Sequence, residues 1–542
     1  MSSVTRVAAA VLACALAATP LVGRAESDRQ SLEELRNTVI NLLQTLVEQH
    51  VMTAEQAAKL VHQAQEKAVT DAQAAAKRDE GAVRVPYVPQ IVKDDIGRQV
   101  AAELEPKVVN DVVATAKTER WGVPGALPDW LSTVRVTGDV RVRFEEDLYG
   151  RDNLPFSVPD YGAINQAGGI TQAGLGAFLN TTQDVQRPRL RARLGLVATL
   201  SDSFQAGIRL ATGGALDPSS ESQTFGTTAA RYNIGLDQGY IRFEPRSRPD
   251  FSYVTAIGGR MPSPWFTPTE LIFARDVSFE GFATTARAPL GGGSNSPTSS
   301  LFATVGAFPI QLVPQFHGDN KWMLASQLGA DLWAGSDDRL RLAAAYYDFI
   351  HVTGIQNQPG QTYYNFTAPP FVRYGNTYFD IANSLTGSSN LFALAAKFRV
   401  ANLSFVYDHR VGRYTFSLTA DAARNIGYDA HDVAVRSGIV QDARTRGYVG
   451  EIAFGDPDPA SALGRWRAAV GYRYVQRDAV LDAWTDADFH GGGTNARGYF
   501  LVGDLGLSRG VWLRLRYMNA DAIDSPPPFA LDIIQIDLNS RF

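Results

Sequence analysis

The chain holds a single cysteine, Cys14, in 542 residues. It falls inside an N-terminal targeting segment. Arg6 opens that segment, Val7 to Thr19 is a short apolar run, and Gly23-Arg24-Ala25 offers small residues for cleavage after Ala25. A mature chain without cysteine has no disulfides and no thiol chemistry, which suits passage through an oxidising compartment. The apolar run is well short of the about 20 residues that span a bilayer as a helix. A lipoprotein signal through Val11-Leu12-Ala13-Cys14 is the alternative, and it leaves an h-region that is too short.

Long apolar runs are also missing beyond this segment, so any membrane passage must use strands, which lipid tolerates only in a closed barrel. Lysine is nearly absent from most of the chain. After residue 130 only Lys321 and Lys397 occur, whereas six lysines lie from Lys59 to Lys117. The net charge of -5 carries no nucleic-acid signature. Catalytic patterns are lacking too. His50, His62, His317, His351, His409, His431 and His490 are scattered without ligand spacing. Gly291-Gly292-Gly293 and Gly491-Gly492-Gly493 lack the Lys-Ser/Thr of a phosphate loop and read as flexible connections. No Gly-x-Ser-x-Gly elbow occurs. No enzyme, cofactor or metal is expected.

What is present divides at about residue 131. Leu32, Leu35, Val39, Leu42 and Leu46 are spaced as the seam of a coiled coil over about two heptads. That stripe either self-associates or packs on its own chain. Thr53-Ala54-Glu55-Gln56 is a capping box opening a second helix. The reading is a signal peptide at 1–25, a helical stalk at 26–81, a helical linker at 82–131 with Pro106 inside it, and a barrel over 132–542.

From Thr133 the hydrophobic period becomes two. Val134, Val136, Val140, Val142 and Phe144 alternate with Arg135, Asp139, Arg141, Arg143 and Glu145. The pattern recurs at Leu190 to Leu200 against Arg189, Arg191 and Arg193, and ends on Ile534, Ile536, Leu538 and the terminal Phe542. Sixteen candidate strands follow. Segment 391–409 could be split at Ala401-Asn402. An even strand number, with short turns on the periplasmic side, favours one strand carrying a bulge there. Trp322, Trp333, Trp466, Tyr472, Trp512, Tyr517 and Phe542 fit interface girdles, or plain strand enrichment in aromatics.

The stretches Val85-Pro86-Tyr87-Val88-Pro89, Leu127-Pro128-Asp129-Trp130-Leu131 and Val136-Thr137-Gly138-Asp139-Val140-Arg141-Val142-Arg143 resemble the Putative porin family of proteobacteria. Leu236-Asp237-Gln238-Gly239-Tyr240-Ile241-Arg242-Phe243 and Gly258-Gly259-Arg260 extend the resemblance toward the C-terminus. It implies an outer-membrane barrel behind a periplasmic helical segment, passive diffusion of small hydrophilic solutes, and a homotrimer. No substrate carries over.

Arg135, Asp139, Arg141, Arg143, Arg189, Arg191, Arg193, Arg209 and Arg242 share the face expected to line the pore. Like charges facing each other across a sheet are destabilising. Either the wall is cationic and favours anions, or a carboxylate-bearing loop neutralises it. The net charge does not decide, because the acids Glu146, Asp147, Asp152, Asp217 and Glu221, read as loop residues, need not face the lumen. The expected constriction is loop 262–276, proline-rich and apolar, with Trp265, Phe266, Glu270, Arg275 and Asp276. Loops 146–188 and 351–390, the latter with Tyr363, Tyr364, Phe366 and Phe371, compete for that place.

Overall fold

The computed structural model describes residues 133–542, apart from 246–250, 292–296, 314–318, 386, 388 and 526, together with Lys67. The chain separates into two units, Met1–Thr115 and Ala116–Phe542. Of the first only Lys67, helical and exposed, is described.

Among the described residues, sixteen antiparallel strands close into one barrel. They are β1 (Val134–Tyr149), β2 (Val185–Thr199), β3 (Phe204–Thr212), β4 (Ile234–Phe243), β5 (Val254–Met261), β6 (Phe279–Gly291), β7 (Ser299–Gln311) and β8 (Lys321–Ala334). They continue with β9 (Asp338–Ile350), β10 (Phe398–Val411), β11 (Tyr414–Asn425), β12 (Arg446–Gly455), β13 (Trp466–Val475), β14 (Ala496–Ser508), β15 (Val511–Ala522) and β16 (Ala530–Arg541). Each pairs with its neighbours, and β1 pairs with both β2 and β16. No edge strand is left, so the ladder satisfies the backbone without water. The last residue takes part. Phe542 and Gly138 exchange both backbone hydrogen bonds at 3.0 Å, and the Phe542 ring lies where a Cβ on residue 138 would stand.

The alternation read from the sequence sets which side chains face out. Val136, Val142, Leu194, Leu196, Leu328, Leu403 and Leu501 are exposed on the outer surface, as lipid requires. Their neighbours, the arginines and acids, face the lumen. Loop lengths alternate as expected. Connections such as 200–203, 335–337, 412–413 and 509–510 are short, whereas 150–184, 262–278, 351–397 and 476–495 lie at the opposite end.

Several boundaries and details differ from expectation. β1 runs on to Tyr149 and β2 starts at Val185, so Glu146 and Asp147 are strand residues. The expected bulge at Ala401-Asn402 is absent. Strand β10 starts at Phe398 and its ladders with β9 and β11 run through 401–402 without a shift of register. Phe392–Leu394 instead forms a separate two-stranded sheet with Tyr378–Asp380. The apparent slip has a packing cause. Inward-facing Phe398 and Val400 are fully buried while outward-facing Arg399 is exposed, so at its outer end this strand carries its apolar residues inward, and only farther along does Leu403 face lipid. Trp333 and Trp512 are not girdle residues. They share parity with the inner face and line the lumen. Trp466 does face outward, packing with Tyr414 at 5.7 Å and Phe454 at 6.1 Å. Gly491-Gly492-Gly493 is no flexible link. All three have positive φ, and a Cβ on Gly493 (φ 92°) would collide with the carbonyl oxygen of Tyr374.

The parity gives a direct test. Leu403→Arg places a charge on the lipid face near mid-strand, opposite Ala344 and Ala422, and should destabilise the barrel by about 2–4 kcal/mol. Urea unfolding in vesicles measures this. The same substitution at inward-facing Ser404 should cost distinctly less.

Candidate functional site

The wall of β1–β3 carries the charge. The β1–β2 register sets Arg141 opposite Arg191 and Arg143 opposite Arg189. Two like-charged pairs in succession are unfavourable in a sheet, so carboxylates must answer them. Some come from the strands. Asp139 accepts from Arg191 at 3.0 Å and Arg193 at 2.6 Å. Glu145 accepts from Arg187 at 2.7 Å and Arg189 at 3.3 Å. Asp537 on β16 takes Arg143 in a two-pronged contact of 2.7 and 3.0 Å. A bulge in the β3–β4 ladder turns both Asp237 and Gln238 toward this wall, where Asp237 pairs with Arg209.

The rest come from loops. Asp276 accepts from Arg191 at 3.0 Å. Glu221 accepts from Arg193 at 3.3 Å and Arg209 at 3.2 Å. Asp488 accepts from Arg143 at 2.9 Å and Arg516 at 3.2 Å. Burial alone would push the Asp488 carboxyl up, but Arg143 and Arg516 outweigh it and hold it well below the usual carboxylate range.

Loop 262–278 folds into the lumen and reaches the far wall. Trp265 packs edge-on against Phe308 at 5.9 Å and Tyr347 at 5.6 Å. The Gln327 side chain on β8 accepts from the Phe266 amide at 2.8 Å and donates to its carbonyl at 3.0 Å. Thr269 donates to Asp421 on β11 at 2.6 Å. Phe273 lies between Phe279 and Tyr347. The loop is thus held by aromatic packing on one side and by Asp276 on the arginine wall at the other. Its apolar composition, odd for a surface loop, is that of a segment crossing an interior. Glu270, whose carboxyl is raised by burial and by Asp486, is one of its polar residues inside.

Loop 476–495 also enters the lumen, which the sequence reading missed. Asp486 sits 3.6 Å from Arg473 and 3.5 Å from Arg516. Arg473 and Thr485 both donate to the Glu270 carbonyl, at 3.2 and 3.0 Å, so the two loops are joined. A signal existed: Trp484 and Phe489 are as misplaced in an exposed loop as Trp265 and Phe266. Loops 150–184 and 351–397 add no side chain to the cavity lining among the described residues. They cap the barrel, with Tyr161 on Phe392 at 4.6 Å. Asn376, Thr377 and Tyr378 clasp loop 476–495 through Asp478 and Asp482.

Below the loops lies a cavity of about 1290 Å³. Asp139, Arg141, Arg143, Arg191, Arg193 and Arg209 line it, together with Trp265, Phe266, Glu270, Arg275 and Asp276. Arg189 is drawn off to Glu145, Arg242 pairs with Glu244, and Arg135 is exposed near the strand end; none of the three is in the lining. Altogether fourteen arginines and ten carboxylates line the cavity. Glu221, Asp237, Asp331, Asp458 and Asp504 pair with lining arginines from just outside it, so the excess of arginines in the lining is cancelled. Of the arginines in the lining, Arg141 and Arg410 have no carboxylate partner among the described residues; Arg141 donates to Ser222 at 2.6 Å. Four lining arginines stack on rings: Arg339 on Trp333 at 4.8 Å, Arg341 on Phe266 at 5.5 Å, Arg473 on Phe489 at 5.7 Å and Arg541 on Trp512 at 5.9 Å. The coiled-coil residues Leu32, Leu35, Val39, Leu42 and Leu46 lie outside the described residues.

Two outcomes follow. Trp265→Ala removes the aromatic anchor of loop 262–278, at about 3–5 kcal/mol, and single-channel recordings should show noisier, larger currents. The clasp at Asp482 should depend on pH. The carboxyl is buried, has no cationic partner among the described residues, and is pushed up to about 7 by that burial. Its unfolded value is about 3.9. Its contribution is complete below that value and is lost as pH rises through about 7. Hydrogen exchange at Asn376, whose amide donates to Asp482, should therefore speed up over that window more than base catalysis explains. Asp482→Asn should remove the excess.

Among solved structures, the chain is similar to OprB of Pseudomonas putida, with 11% identity and a TM-score of 0.41 over 78% of this chain and 97% of that chain. It is similar to the outer membrane channel DcaP of Acinetobacter baumannii, at 10% and 0.38 over 76% and 97%. It is also similar to OmpF of Salmonella typhi, at 8% and 0.39 over 76% and 97%. Likeness this remote says nothing about the solute. No curated protein matches the chain. The family model described as Putative porin matches residues 36–542. The chain belongs to the Putative porin family.

Proposed function

We propose that this porin lets small hydrophilic solutes diffuse passively across the outer membrane, with a mild preference for anions. The observation that carries the preference is Arg141, which lines the cavity two residues from Arg143 and opposite Arg191, and which has no carboxylate partner among the described residues. A field of fixed guanidinium groups raises the local concentration of anions. The preference is mild because most of those groups are paired. The constriction in this reading is the level at which Glu270, Arg275 and Asp276 of loop 262–278 meet Asp486 and Asp488.

The N-terminal part completes the reading. Residues 1–25 are a signal peptide, 26–81 a periplasmic stalk and 82–131 a linker. The seam of Leu32, Leu35, Val39, Leu42 and Leu46 supports self-association, in a homotrimer.

Planar-bilayer recording in a salt gradient tests the function. The expected result is conductance in triplet steps, with a reversal potential shifted modestly toward that of chloride. No conductance, or a shift toward the cation, overturns the reading. For the stalk, deleting residues 31–81 should lower the mass of the detergent-solubilised assembly beyond the deleted segment itself. A wild-type monomer contradicts the trimer.

A further inference from the structure

We propose that Asp488 is a tethered counter-anion resting in a carboxylate-binding seat formed by Arg143 and Arg516 beside Arg141, and that small organic carboxylates occupy this seat during passage. The inference deepens the anion preference and rests on the channel reading.

The seat is built by the barrel, while its occupant is not. Arg143 stands on β1 and Arg516 on β15, two strands either side of β16, and both aim NH1 at one oxygen, Oδ2 of Asp488, at 2.9 and 3.2 Å. The rest of the Arg143 fork is fixed by Asp537, so its position does not depend on Asp488. Arg516 has Asp486 as its other carboxylate, at the longer distance of 3.5 Å. Arg141 lies two residues from Arg143 on the same face of β1, faces Arg191 in the register, and among the described residues has only a serine hydroxyl as side-chain partner. Three guanidinium groups are thus gathered around one carboxylate, all lining the same cavity.

The occupant arrives from loop 476–495. The Asp486 side chain accepts from the Asp488 amide at 2.8 Å and so orients the tip of the loop, which makes Asp486 a positioning residue. Two guanidinium groups share one oxygen of the Asp488 carboxylate, and the directed N–H donors of guanidinium suit the oxygens of a free carboxylate. Removing the Asp488 charge therefore does more than shift a balance. It vacates a preformed site whose natural occupant has the chemistry of a carboxylic acid.

The test uses the full chain in planar bilayers with potassium chloride, and succinate as the probe. In Asp488→Asn the chloride-to-potassium permeability ratio should rise about threefold, the effect of one unit charge a few ångströms from the path. Succinate should then block chloride current with saturation, much more strongly than in the wild type. Asp488→Glu, which keeps the carboxylate, should behave as the wild type and shows that the loop fold survives substitution. Adding Arg141→Gln to Asp488→Asn should abolish the new block. An unchanged permeability ratio overturns the proposal. So does a block equal in wild type and Asp488→Asn, or one that survives Arg141→Gln. Larger currents of both ions at constant ratio would mean that Asp488 merely pins the loop, which also overturns it. A wild-type protein without conductance contradicts the channel reading itself and the seat with it.

Discussion

Two pairs of arginines face each other across neighbouring strands, Arg141 with Arg191 and Arg143 with Arg189, and much else in the lumen answers that repulsion. Strand carboxylates relieve only part of it. Asp139, Glu145 and Asp537 are already engaged in at least one short contact each. The remaining counter-charges, Glu221, Asp276 and Asp488, hang from three loops that start at the outer end of the barrel. Bringing them to the wall means bringing the loops inside. The charged wall and the inward loops are therefore one feature rather than two.

The opposite wall does the complementary work. Phe279, Phe308, Tyr347 and Phe349 bury apolar surface against Trp265, Phe273 and Trp484. A loop tied to the arginines at one end and packed in an aromatic cluster at the other has little freedom to swing out. The backbone of Ala274 also donates to the carbonyl of Trp484 at 2.7 Å. This bond and the shared Glu270 carbonyl join loops 262–278 and 476–495 to each other. Conditions that loosen one should alter the opening shaped by both.

Much of the barrel was legible because its code is local. Alternation from Val134 onward, short turns at one end and a terminal aromatic require only neighbouring residues to interpret, and the strand number follows from the parity of the connections. The inward course of loop 262–278 was legible for a related reason: its composition contradicts an exposed position. The errors arose where a strand has more than lipid and water for surroundings. β10 broke the alternation because Phe398 and Val400 face a packed loop rather than an aqueous lumen. Trp333 and Trp512 were misplaced because residue type outweighed parity. Trp484 and Phe489 marked loop 476–495 as an inward segment, but its charge partners were not legible; Arg143 and Asp488 are 345 residues apart, and no local pattern announces such a pair. The arginine ladder itself was visible, but its neutralisation was not.

The account's central claim is that loop carboxylates hold the arginine wall and are held by it. A double-mutant cycle on Arg143→Gln and Asp488→Asn, read by urea unfolding of the barrel in vesicles, tests it most directly. The account predicts a favourable coupling of about 1–3 kcal/mol, the range for contacting charged residues. Effects of the two substitutions that simply add, with no coupling, would contradict it.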